Sequence, residues 1–214
     1  VVAAYFTNDT ARWHREGIGV EYRARDLRLT AAVTAGSSSR TGVEAGASWQ
    51  ADDHWSLELS GSTVSSNVPM QAWTAGVRAN EVAIAGRYAV HESRRFAVGA
   101  GRLGFSDGND RLGYWGSWFE RWASTPRWRF ETTAWLGASR NSLGGAPYFN
   151  PASDLTATVE AAGEWLTWRR YERSFRQRVA ATVGTYGQDG FGTGSVVGVS
   201  YEHIWELDRR LHLR

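Results

Sequence analysis

Glutamate and arginine are the residues of this chain best placed to do chemistry, and a spacing of two places them. Glu21, Glu44, Glu58, Glu81, Glu131, Glu160, Glu164 and Glu202 each fall on the polar side of a stretch that alternates polar with apolar. Arg87, Arg129, Arg176 and Arg178 do the same. Alternation with a period of two marks a strand, so these charges line one face of each strand. Two roles are open to them. Carboxylate and guanidinium can pair across strands and hold a wet wall rigid. Alternatively, carboxylates left unpaired can form an acidic track that selects a cationic or hydroxyl-rich passenger, as charged side chains do in pores. Trp115 and Tyr186 lie on the same face, where they could stack on sugar rings or fill space between charged neighbours.

Catalysis finds little support in the same inventory. The five histidines, His14, His54, His91, His203 and His212, lie near expected tight turns. No Ser or Asp is paired with them by a local motif, and no metal-ligand spacing appears. The glycine-rich piece at 187–194 has no following helix to cradle a phosphate. The expectation is therefore a non-enzyme with no catalytic residue, no metal and no cofactor.

The elements that must position the charges are long strands. Residues 154–207 read as three in succession. Leu155, Ala157, Val159, Ala161 and Trp165 oppose Thr156, Thr158, Glu160 and Glu164. Phe175, Val179, Ala181 and Val183 oppose Arg176, Arg178, Thr182 and Tyr186. Val197, Val199, Tyr201, Trp205 and Leu207 oppose Gly198, Ser200, Glu202 and Glu206. Strands of soluble proteins average about five or six residues. Alternation over about ten residues suits a tilted strand crossing a bilayer, with Trp and Tyr near its ends at headgroup level. If this is right, Val159, Val183 and Val197 face lipid; in a sandwich they would be buried between two layers.

Composition agrees. The chain has 214 residues with 12 Trp, 24 Gly, 4 Pro, no Cys and no Lys. Mean hydropathy is negative at −0.42, as expected where half of every strand faces water inside a barrel. No run of eighteen apolar residues is present to make a spanning helix. A net charge of +2 from well-mixed Arg and acidic residues gives no nucleic-acid surface.

Elsewhere the pattern repeats: Ile18, Val20 and Tyr22; Leu27, Leu29 and Val33; Val43, Ala45 and Trp49; Trp55, Leu57 and Leu59; Val82, Ile84 and Tyr88; Trp128, Phe130 and Leu136. Residues 65–80 interrupt it with Pro69 and a piece that fits a short helix, expected to fold over or into a barrel mouth. Arg102 makes the register of 96–105 ambiguous, which a bulge would reconcile. Residues 106–109 form an expected exposed turn, and 140–153 the longest loop. Tight turns at Arg25, Asp52, Glu92, Thr125, Glu172 and Asp208 alternate with longer connections at 37–40, 65–80, 106–110, 140–153 and 187–194. Outer-membrane barrels have short periplasmic turns and long extracellular loops, and about thirteen strands are visible here. The fold class is thus all-β, a transmembrane antiparallel up-and-down barrel occupying 1–214 as one domain. The odd strand count implies strands missing at one or both ends.

Several motifs resemble a known family. Gly144-Gly145-Ala146-Pro147-Tyr148-Phe149-Asn150-Pro151, followed by Trp168-Arg169-Arg170-Tyr171-Glu172-Arg173-Ser174-Phe175, is similar to the barrel of the poly-N-acetylglucosamine export porins, PgaA-like or HmsH-like. His91-Glu92-Ser93-Arg94, Phe105-Ser106-Asp107-Gly108-Asn109 and Tyr201-Glu202-His203 carry the same resemblance. It implies a bacterial outer-membrane barrel of about sixteen strands exporting partially deacetylated poly-β-1,6-N-acetylglucosamine for biofilm. The implied partners are the polysaccharide, outer-membrane lipid, a periplasmic helical-repeat domain and a deacetylase. Pro147, Tyr148, Phe149 and Asn150 would then sit on an extracellular loop where the sugar chain leaves. The alternative is a barrel exporting cellulose or another neutral glycan, which should prefer aromatic lining to acidic lining.

Overall fold

The computed structural model describes residues 2–7, 12–36, 40–206 and 212–213. The expected tight turn at Asp208 falls outside the described residues, as does most of the expected connection at 37–40. Among the described residues the strands are β1 (Val2–Thr7), β2 (Arg12–Arg23), β3 (Leu27–Gly36), β4 (Arg40–Gln50), β5 (Trp55–Ser62), β6 (Ala79–His91) and β7 (Arg94–Phe105). They continue with β8 (Asp110–Ser124), β9 (Trp128–Asn141), β10 (Ser153–Arg170), β11 (Arg173–Gln188), β12 (Gly192–Glu206) and β13 (His212–Leu213). All belong to one sheet whose order follows the sequence from β1 to β13, the up-and-down topology. The short helix α1 (Met70–Thr74) lies between β5 and β6. The longest loop is shorter than expected, because Arg140 and Asn141 still belong to β9.

Contacts divide the chain into two compact units. Unit 1 is Val1–Tyr88, Ala97–Trp115 and Ala138–Asp154; unit 2 is Ala89–Phe96, Gly116–Gly137 and Leu155–Arg214.

In unit 1 the antiparallel register brings like residues into rows. Tyr22 faces Leu29, which faces Ala47, which faces Leu59, which faces Ile84. That row is apolar, with Tyr22, Leu29, Leu59 and Ile84 exposed. The alternate row runs Gly19, Ala32, Glu44, Ser62 and Glu81. Unit 2 repeats the division: Val183 pairs with Val197 and Val179 with Tyr201, while Arg178 pairs with Glu202. Val197, Val183 and Val159 are 76%, 59% and 48% exposed. They are not the core of a sandwich. Leaving this much valine in water would be unfavourable by roughly 25 cal/mol per Å², so these side chains are built to face lipid.

Unit 1 has a small true core, and it lies outside the strand wall's apolar face. Val68, Ala72, Val77, Ala79, Phe105 and Tyr148 are buried together, with Trp73, Leu103 and Ala146 against them. This anchors the stretch between β5 and β6: α1 contributes Ala72, and the Phe105 and Tyr148 rings stack at 5.4 Å between centroids. The expected helix is present, though only five residues long.

Two features depart from expectation. The turn at 106–109 is not wholly exposed, since Asn109 is 1% accessible. Nor does Arg102 mark a bulge. Phe96 and Val98 are exposed, Leu103 packs on the inner core and Arg102 is exposed, so the alternation runs unbroken and Arg102 stays on the outward side. Its guanidinium is held by Asp110, with Nε to Oδ1 at 2.9 Å and Nη2 to Oδ1 at 2.8 Å. Near a strand end, an outward arginine costs only about 0–1 kcal/mol. Glu120 is another outward charge that the alternation did not anticipate. It is 5% exposed, receives Arg94 Nε at 2.7 Å and Trp118 Nε1 at 3.2 Å, and lies on a strand face that also carries Trp122.

Candidate functional site

The inward face of unit 1 carries a groove of about 660 Å³. Its floor is small, with Gly19, Ala32 and Gly46, and its sides are polar, with Thr30, Ser48, Ser60, Ser62, Ser66 and Asn67. Glu21, Glu44, Glu58 and Glu81 line it along with Arg15 and Arg28. Small residues on alternate positions let a ligand approach the backbone, while hydroxyl and amide groups offer both donors and acceptors.

The carboxylates in this groove are not equivalent. Glu21 is held by Arg23 and Arg28, Glu44 by Arg15, and Glu58 by Arg87 Nη1 at 2.9 Å. Glu81 is held by neutral donors: the Ser65 hydroxyl, and Asn67 Nδ2 at 2.8 Å and 3.0 Å from its two oxygens. No arginine pairs with it among the described residues. Ser65 is itself buried and its Oγ also receives the Asn67 backbone N–H at 2.9 Å, so the loop before α1 fixes the Glu81 carboxylate of β6 with neutral donors, and among the described residues no cation pairs with it.

In unit 2 the inward face is a ladder of alternating charge. Arg121 meets Glu131 at 2.8 Å, Arg129 lies 3.8 Å from both Glu131 and Glu164, and Arg176 meets Glu164 at 3.1 Å. Arg178 bridges Glu160 at 2.7 Å and Glu202 at 3.3 Å. An acidic track of unpaired glutamates is therefore not what the chain builds. Of the eight glutamates singled out by spacing, seven have an arginine partner, and only Glu81 fits that description.

The aromatic candidates are similarly committed. A Cβ placed on Gly99 would come within 2.5 Å of the Trp115 indole nitrogen, so Trp115 lies against Gly99 as its cover. Trp135, which spacing did not single out, covers Gly137 in the same way. Tyr186 donates its hydroxyl to Gln188 Oε1 at 2.9 Å.

The loop candidates are fastened by a residue that sequence reasoning missed. Asn109 Nδ2 donates to Asn150 Oδ1 at 2.8 Å, Asn141 Oδ1 at 3.2 Å and the Tyr148 hydroxyl at 3.3 Å. Its Oδ1 receives the backbone N–H groups of Ser142 at 3.1 Å and Leu143 at 3.0 Å. Tyr148 donates to Asp107 Oδ2 at 2.9 Å. Burial raises the Tyr148 phenol above its ordinary pKa; the Asn109 bond opposes the shift and Asp107 adds to it. Pro147 and Phe149 are exposed, so the same loop shows two side chains to solvent and buries Tyr148. A lone Asn after Asp-Gly gives no sequence signal of such a hub, because nothing local specifies partners more than thirty residues away.

The outward aliphatic rows and inward paired charges define a membrane-spanning strand wall, of the kind that closes into a barrel because lipid tolerates no open edge. The chain belongs to the PgaA membrane β-barrel domain family, whose model matches residues 2–214. It is 27% identical over 186 residues to the poly-β-1,6-N-acetyl-D-glucosamine export proteins of Escherichia coli K12 and Escherichia coli O157:H7, covering 86% of this chain. The chain spans 23% of the length of those relatives. A solved bacterial polysaccharide outer membrane secretin superposes with a TM-score of 0.87 at 26% identity, over 95% of this chain and 70% of that one. The chain is a protein of the bacterial outer membrane.

Proposed function

We propose that this chain forms the wall of an outer-membrane conduit that exports partially deacetylated poly-N-acetylglucosamine, and that it acts as a passage and not as an enzyme. The observation that carries the reading is the likeness, along 86% of the chain, to proteins named for export of poly-β-1,6-N-acetyl-D-glucosamine. The unit 1 groove supports it, since a floor of small residues between hydroxyl-bearing strands suits an unbranched sugar chain sliding through.

Within that reading, the inward glutamates and arginines are the passenger's path, with Glu81 the position able to meet a protonated amine. The other carboxylates keep the wall rigid through their arginines. The loop bearing Pro147 and Phe149 is the exit side. Free amines on the polymer imply a deacetylase acting before export, and a periplasmic helical-repeat domain is the partner expected from the family resemblance.

Current blockade through the reconstituted protein tests the substrate. Oligomers of β-1,6-linked glucosamine should block at a concentration about fivefold lower than fully acetylated oligomers of equal length, given the added strength of a charge-assisted hydrogen bond. Equal blockade by both, or stronger blockade by a neutral β-1,4 glucan, would sink the reading.

A further inference from the structure

Arg102 and Arg140 stand on the outward side of unit 1, where the rest of the pattern places apolar groups. On β7 the same side carries Val98, 64% exposed, and on β8 Tyr114, 53% exposed. The Phe105 N–H to Asn109 O bond at 2.8 Å closes the β7–β8 hairpin. Counting three residues back along each strand sets Arg102 opposite Leu112. The Ser142 N–H to Asp110 O bond at 3.0 Å joins β8 to β9, and counting two residues from it sets Arg140 opposite the same Leu112. The two guanidinium stems thus rise from one row, about 10 Å apart across one intervening strand, with Arg102 about 10 Å and Arg140 about 3 Å from the ends of β7 and β9. Both are exposed. Arg102 shares Asp110, while Arg140 forms no ion pair among the described residues, so the row carries a net positive charge.

This end of the strands bears the long connections, where an outer-membrane barrel meets the leaflet of phosphorylated glycolipid. We propose that Arg102 and Arg140 form a binding site for the phosphate of an anionic lipid headgroup in that leaflet. The guanidinium is suited to the task, being always charged, planar and weakly hydrated, with donors that match phosphate oxygens. Leu112 between them and Val98 and Tyr114 on the same side supply the apolar bed for the acyl chains and the headgroup boundary. Asp110 holds Arg102 upright and leaves its other guanidinium nitrogen free to donate. The site is independent of what passes through the conduit.

The test uses the protein extracted whole from outer membranes and delipidated in neutral detergent. Bisphosphorylated lipid A should raise its thermal midpoint, dephosphorylated lipid A should do so little, and inorganic phosphate alone should not compete. R102Q/R140Q should bind the phosphorylated lipid at least about fivefold more weakly, in line with losing two charge-assisted contacts, while Arg169→Gln, at the tight-turn end, should bind as the wild type does. Should the double variant fail to fold, phenylglyoxal modification of the wild type decides: lipid A should protect Arg102 and Arg140. Equal response to both lipids, full competition by free phosphate, unchanged binding by the variant, or no protection overturns the site.

Discussion

The inward faces of the two units are built from the same two residue types and arranged to opposite ends. In unit 2, Arg121, Glu131, Arg129, Glu164 and Arg176 make one continuous alternation in which each charge has neighbours of opposite sign. In unit 1 the charges form separate clusters of two or three set among hydroxyls, and among the described residues Glu81 is held by Ser65 and Asn67. The lesson is that a polar wall can be stiffened in two ways. A ladder gains from sharing, since each ordered side chain serves two partners, but it is damaged along its length when one member goes. Isolated pairs and neutral donors leave space and leave one charge available. On this contrast unit 2 is the brace and unit 1 the surface that can meet a ligand.

The contrast predicts unequal costs for the same kind of change. Glu164→Ala should be the most harmful, because it leaves Arg129 and Arg176 without their shared carboxylate at a position only 13% exposed; with the arginines themselves 39% and 27% exposed, the loss should be about 3 kcal/mol, the low end of the cost of breaking a buried pair. Glu81→Gln should cost under about 1 kcal/mol, since an amide oxygen can still accept from Ser65 and Asn67. Urea unfolding in lipid vesicles measures both. Equal losses would erase the distinction between brace and surface. Between these values, Gly184→Ala should cost about 1–3 kcal/mol through overpacking, because its Cβ would lie 2.2 Å from the Ala157 carbonyl oxygen across the β10–β11 pair. Gly113→Ala, with nothing within 4 Å of the new Cβ, is the matched control and should be close to neutral.

How much of this was legible in advance divides along the same line between local and distant. Period-two alternation is local, so the strands, their tight turns and the inward placement of Glu160, Arg178 and Glu202 could be read directly. The sign of the outer face was legible too, through the aliphatic runs at 155–161 and 197–201. Partner choice was not. That Glu81 lacks an arginine depends on Ser65 and Asn67 reaching back from the loop before α1, and that Asn109 is buried depends on contacts with residues 141–150. Arg102 misled because an outward arginine contradicts the alternation; only its pairing with Asp110, eight residues on, explains why no bulge is needed. The tryptophans misled in the other direction. Trp115 has the chemistry of a sugar platform, but Gly99 beneath it is what its position answers.

The smallest effects expected lie at the tight turns, outside both inward faces, and they check that the comparison is about the faces. Asp52 accepts the backbone N–H groups of His54 and Trp55, each at 2.7 Å, and these bonds, Trp55 first, hold its carboxyl below the ordinary value. A depressed carboxyl contributes stability that is present above the unfolded pKa and is lost as pH falls through the folded one. Wild type should therefore lose stability relative to Asp52→Asn only below about pH 4, the range of an unperturbed Asp. Unfolding midpoints compared across pH 3 to 7 would reveal it, and a parallel pair of curves would refute it. Tyr171 sits at φ 53 and is 87% exposed, a left-handed conformation that costs a side chain about 1–2 kcal/mol and that Gly or Asn adopts readily. Tyr171→Asn should consequently gain up to about 1 kcal/mol. A gain there beside a large loss at Glu164 would locate the stiffness of unit 2 in its ladder, whereas a loss at Tyr171 as large as that at Glu164 would place it in the β10–β11 turn instead.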